Sequence, residues 1–100
     1  MTGPRVLMIT GEYPPMEGGV ADFTAILSRT MADLSPDGSV ELHVLTSERA
    51  GPARTEGDVT VHPLMRRWGW LALPRAVRDL VARFRLDVVN IQYQSAAYGL

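Results

Sequence analysis

The chain has no cysteine and no lysine. Without thiols, neither a disulfide framework nor a thiolate metal site can form, and nothing marks a secreted, oxidising setting. All ten basic residues are arginine and the formal net charge is −1, so no global positive field points to nucleic acid; charge arguments have to be local. Long apolar runs are missing as well. Met1-Thr2-Gly3-Pro4-Arg5 leads into Val6-Leu7-Met8-Ile9, which is too short for a signal-peptide core or a membrane span, and a polar loop follows at once. The expectation is a cytoplasmic protein. One hundred residues, 46% hydrophobic and 21% charged, make at most one small domain of ordinary core-forming composition, with no internal repeat or low-complexity segment.

What is present centres on Gly11-Glu12-Tyr13-Pro14-Pro15-Met16-Glu17-Gly18-Gly19. Before it, Val6 to Ile9 is continuously apolar, as in a parallel strand covered on both faces. After it, Val20, Phe23, Leu27, Met31 and Leu34 recur at helical spacing, with Asp22, Arg29 and Asp33 opposite. The loop therefore joins the carboxyl end of a strand to the amino end of a helix. Gly18 and Gly19 admit close backbone approach, and the first-turn amides with the helix dipole favour an anion, so the expected guest is a phosphate. On spacing alone, a loop that merely turns sharply fits equally well.

Farther on, Ser35-Pro36-Asp37-Gly38 reads as a turn, Val40 to Thr46 as a second strand, and Ser47 to Gly57 as a surface loop. Val59 to Leu64 is a shorter strand whose Pro63 suits a strand end or edge. A helix begins near Leu73, with Pro74 in its first turn and Leu73, Val77, Leu80, Val81 and Phe84 as its stripe; Arg83 and Arg85 fall in its last turn. Asp87 to Gln92 reads as another buried strand. This succession predicts an open, mostly parallel α/β sheet with flanking helices. Ligands of such sheets lie beyond the carboxyl ends of the strands, where the first loop and Gln92, Tyr93, Gln94 and Ser95 share a rim.

Competing motifs are short of parts. No Gly-Lys-Ser/Thr ends the loop, which excludes a nucleoside-triphosphatase P-loop; Gly-x-Gly-x-x-Gly is absent too, although Glu48 could imitate the ribose-binding carboxylate of a dinucleotide site. His43 and His62 lie in strand-like stretches without a further ligand at metal spacing, so no metal is expected and both read as ordinary strand histidines. Glu12 and Glu17 flank the loop, where carboxylates can meet sugar hydroxyls or simply be solvated. Arg66 and Arg67 precede Trp68 and Trp70, and Arg75, Arg78, Arg83 and Arg85 follow, a local basic strip suited to a membrane surface or to plain solvation.

Taken together, Arg5-Val-Leu-Met-Ile-Thr, Glu12-Tyr13-Pro14-Pro15, Gly18-Gly19-Val20-Ala21-Asp22-Phe23, Val44-Leu45-Thr46 and Asp87-Val88-Val89-Asn90-Ile91-Gln92-Tyr93-Gln94 resemble the amino-terminal domain of the family 4 retaining glycosyltransferases. The likeness runs through nearly all of the chain in order, and its most specific piece is Pro-Pro-x-x-Gly-Gly. Asn90 stands where that family commonly has His. The resemblance implies a GT-B fold, two Rossmann-like domains across a cleft, with residues 1–100 an incomplete first domain and the donor-binding second domain outside it. It implies that Gly18 and Gly19 approach the diphosphate of a nucleotide-sugar, which is a substrate, so that no cofactor is needed. Glu12, Tyr13, Asp22, Gln92, Tyr93 and Gln94 would stand on the acceptor side or cleft rim, while the catalytic glutamate pair lies past Leu100. Implied partners are the nucleotide-sugar donor and a sugar or lipid-linked acceptor, the latter consistent with peripheral contact at the inner membrane face. The chain alone is expected to be inactive and marginally stable. The alternative is a non-catalytic module of the same architecture that binds an anion or a partner.

Overall fold

The computed structural model describes residues 4–11, 13, 14, 16, 25–31, 40–57, 59–66, 68, 69 and 71–92. Strand β1 (Arg5–Thr10) carries apolar side chains on both faces, as does β2 (Glu41–Ser47), and they pair in parallel from Arg5↔Glu41 to Ile9↔Leu45. Such strands need cover above and below. Val6, Met8, Leu42 and Val44 form one cluster, onto which Ala25, Leu27 and Met31 of α1 (helical residues 25–31) pack. Leu7, Ile9 and Leu45 form the other, closed by Leu73, Val77, Leu80, Val81 and Phe84 of α2 (Ala72–Phe84). The two helices therefore cover opposite faces.

Three further strands complete an α/β sheet that is open and mostly parallel. β4 (Val59–Met65) runs parallel to β2, β5 (Val88–Gln92) runs parallel to β1, and β3 (Arg54–Glu56) is antiparallel to β4. The order is β3-β4-β2-β1-β5. Inside β4, Pro63 lies beyond the reach of β3, whose pairing stops at Arg54↔Val61, so its missing N–H costs no ladder bond on that side. A register shift follows, with Thr46↔Pro63 but Ser47↔Met65. The extra residue, Leu64, is exposed, and the shift turns Met65 to the α2 face although Val59 and Val61 face α1.

Several sequence expectations need correction. Ser47 to Gly57 is not simply a loop: it holds a 3₁₀ turn (Glu48–Ala50) and β3, whose polar residues are held by backbone pairing. Arg85 is not in the last helical turn but follows it at φ 54, with Leu86 N–H bonded back to the Val81 carbonyl and the Leu86 side chain buried, a left-handed helix stop. β5 is not buried. It is the edge beyond β1, with Val88, Val89 and Ile91 exposed by 46%, 44% and 57%. Its start is fixed to β1 by Asp87, whose N–H donates to the Arg5 carbonyl (2.7 Å) and whose carboxylate accepts from Arg5 N–H (3.0 Å). The first helix's Val20, Phe23 and Leu34 lie outside the described residues; within them Ala25 and Ser28 are the buried positions, Ser28 Oγ reaching Met8 Sδ at 3.2 Å.

This difference between centre and edge is measurable. Leu45→Ala, at a fully buried position between β1 and β4, is expected to cost about 2–5 kcal/mol, while Ile91→Lys costs less than about 1 kcal/mol. Denaturant unfolding of both variants checks it. Equal losses would contradict the edge position of β5.

Candidate functional site at the carboxyl rim of the sheet

Strand order fixes where a ligand can enter. From β1 the chain passes through α1 to β2 and then to β4, always away from β5, whereas α2 returns the chain across the other face to the far side of β1. The connection from β1 to β2 and the one from β4 into β5 thus cross on opposite faces, and open α/β sheets take ligands beyond the carboxyl strand ends at such a reversal. Thr10 and Gln92 are in-register neighbours there. Gln92 is half-buried and its amide donates to Asn90 Oδ1 at 2.6 Å. Glu12, Gly18, Gly19, Asp22, Tyr93 and Gln94 lie outside the described residues.

Tyr13 behaves differently from a rim residue. Its ring is 1% exposed within the α1-side core, and among the described residues its hydroxyl has no hydrogen-bond partner, as is also true of Thr46 Oγ1. Burial pushes the phenol pKa up, Glu56 adds to this, and Arg29 and Arg54 oppose it. Pro14 follows in a tight turn closed by Met16 N–H on the Tyr13 carbonyl (2.9 Å), proline presetting the backbone angle. Beside this turn lies an open depression of about 430 Å³ lined by Pro14, Arg29, Gly51, Arg54 and Glu56. Glu48, the candidate ribose carboxylate, is exposed just past β2.

The two histidines meet in the core under α2. His43 Nε2 lies 2.8 Å from the Glu41 carboxylate, so that nitrogen carries a proton and Nδ1 is left to accept. His62 Nε2, 2.9 Å from His43 Nδ1, must then donate. The rings stack at 5.1 Å and 11°, and Phe84 tilts against both at 4.4 and 5.1 Å. Burial first, then His43 and Arg83, push the His62 pKa down from 6.5 to about 4.

No protein-family model, no curated protein and no solved structure matches the chain. Among the described residues, no group of three or more His, Cys, Asp or Glu could hold a metal ion, and no helix is long and apolar enough to cross a membrane. Of the basic strip, Arg66, Arg75, Arg78, Arg83 and Arg85 are exposed, whereas Trp68 packs onto the α2-side core; Arg67 and Trp70 lie outside the described residues.

Sequence reasoning missed the coupling of His43 with His62 and the part played by Arg54. The first was detectable in principle, since parallel pairing of β2 with β4 sets His62 opposite Leu45, two residues along the same face from His43. The coupling has a pH signature. Between about 4 and 6.5 the unfolded chain binds a proton at His62 that the fold refuses, so stability is complete above this window and falls as pH drops through it. The loss should reach roughly 3 kcal/mol at most. His62→Gln keeps an N–H donor without titrating and should flatten the profile. An unchanged acid slope in chemical denaturation would contradict the neutral His62.

Proposed function

We propose that this chain is the acceptor-side portion of a retaining glycosyltransferase that moves a sugar from a nucleotide-sugar to an acceptor hydroxyl. The observation that carries the proposal is the reversal of strand order at β1 and β5, since the stretch that contains the two glycines follows β1 from its carboxyl end in sequence. Helices on opposite faces of a β4-β2-β1-β5 parallel set support a Rossmann-like half of a GT-B enzyme. The resemblance of Pro14-Pro15-Met16-Glu17-Gly18-Gly19 and of the Asp87 to Gln94 run to family 4 enzymes supplies the reaction. In it the bond from the anomeric carbon to the diphosphate oxygen breaks, the acceptor oxygen bonds the same carbon with retention, and the acceptor's hydroxyl proton passes to the released diphosphate.

The role proposed for this chain is electrostatic. Backbone amides around Gly18 and Gly19 face the leaving diphosphate as its negative charge grows, and preorganised donors of this kind stabilise a transition state without reorganising. Gln92, Tyr93 and Gln94 meet the acceptor from the neighbouring strand end. Exposed arginines along and before α2 favour an anionic bilayer carrying a lipid-linked acceptor, at about 1 kcal/mol each near such a surface. That contact is expected to weaken in Arg66→Ser and Arg67→Ser and in high salt, read by vesicle co-sedimentation; binding indifferent to all three would remove the membrane from the proposal.

Kinetics test the transfer itself. With the full-length protein and a panel of UDP- and GDP-hexoses, nucleoside diphosphate release should be detected for at least one donor. Gly19→Val, which adds a branched side chain where the backbone is to approach the diphosphate, should lower kcat/KM on the order of 10²-fold with little change in melting temperature. Unaltered donor KM and turnover in a folded Gly19→Val variant would overturn the diphosphate role.

A further inference from the structure

One guanidinium, that of Arg54, ties the distant backbone at Pro14 to the Ala50–Pro52 segment just ahead of it in sequence. Its Nη2 donates to the Pro14 carbonyl at 2.6 Å, and its Nη1 donates to the carbonyls of Ala50 (2.9 Å) and Pro52 (3.2 Å). Nε donates to the Glu56 carboxylate, and the guanidinium lies 5.9 Å from the centre of the Tyr13 ring. Donors at Nε, Nη1 and Nη2 are all engaged by protein groups, so Arg54 is satisfied where it stands.

The Pro14 end of this clamp matters most. Pro14 belongs to the Tyr13–Met16 turn, a described piece of the connection that follows β1 and precedes Gly18 and Gly19 in sequence. We infer that Arg54 is a positioning residue for that connection: by fixing the Pro14 carbonyl against the β2–β3 segment, it anchors the stretch of chain that precedes the two glycines in sequence. This deepens, and rests on, the reading of Gly18 and Gly19 as the diphosphate contact. Affinity for a diphosphate-linked donor then depends on a residue that does not touch it.

Lysine cannot replace it. A single ammonium cannot reach Pro14, Ala50, Pro52 and Glu56 in one plane, whereas the rigid fork does. Nor should its removal unfold the protein. Pro14, Ala50 and Glu56 border the open depression, from which water can hydrate the carbonyls that Arg54 leaves behind. The expected consequence is a loosened connection on an intact sheet.

Two readouts on the full-length protein decide it. In Arg54→Ala, amide hydrogen exchange across residues 11–24 of the ligand-free protein should rise about tenfold, with β2 and β4 unchanged, and kcat/KM for the donor should fall on the order of tenfold or more through both a higher donor KM and a lower kcat. Guanidinium ion at millimolar concentration should restore part of both in Arg54→Ala, and Arg54→Lys should resemble Arg54→Ala. Should Arg54→Ala fail to fold, Arg54→Lys carries the same two measurements. Unchanged exchange, or unchanged kcat/KM for the donor in an active enzyme, overturns the positioning role. If the wild type releases no nucleoside diphosphate from any donor, the transferase proposal fails, while exchange alone still decides whether Arg54 holds the connection.

Discussion

A sheet built from parallel strands has to be covered on both faces, and that requirement organises this molecule. β1 and β2 present apolar side chains in both directions, so a single helix cannot satisfy them. The chain answers with α1 on one face and α2 on the other, and covering both faces from one starting strand makes the order reverse at β1. The strand reversal at the carboxyl ends of β1 and β5 is a by-product of that coverage. Function, on this account, uses a place that packing had already created.

Polar groups inside the fold follow the same economy of position. The histidine pair lies between the sheet and α2, where Phe84 covers both rings, and each nitrogen that faces the other has a defined donor or acceptor role. Arg54 works from a different element. It sits on β3, the short charged edge, and satisfies carbonyls of two connections at the rim. One set of contacts holds the sheet to its helix, and the other holds the rim to the sheet.

Much of the architecture was legible from residue patterns because those patterns report burial directly. Val6 to Ile9 and Val40 to Thr46 are apolar on both faces, and both prove central; the stripe ending at Phe84 has helical spacing, and Leu80 is its buried member. Edges were not legible. Val88 to Gln92 has the composition of a buried strand, but exposure depends on lateral order, which no local pattern encodes. β3 escaped because Arg54, Thr55 and Glu56 are polar and its pairing is made by backbone groups. Arg54 reaches Pro14 across forty residues and binds carbonyls, which leave no side-chain signature in a sequence. Tyr13 stands on the rim only in what the family resemblance implies, whereas its ring is buried beside the turn that it opens.

The central claim is that a nucleotide-sugar diphosphate meets the β1–α1 connection at the strand reversal. Photoaffinity labelling of the full-length protein with azide-bearing UDP- and GDP-sugar analogues, followed by peptide mapping, addresses this most directly. The account predicts saturable adducts within residues 11–24 and next to Gln92, suppressed by excess unmodified nucleotide-sugar. Competed adducts confined to the opposite, amino-terminal ends of the strands, or no competed labelling with any analogue, would contradict it.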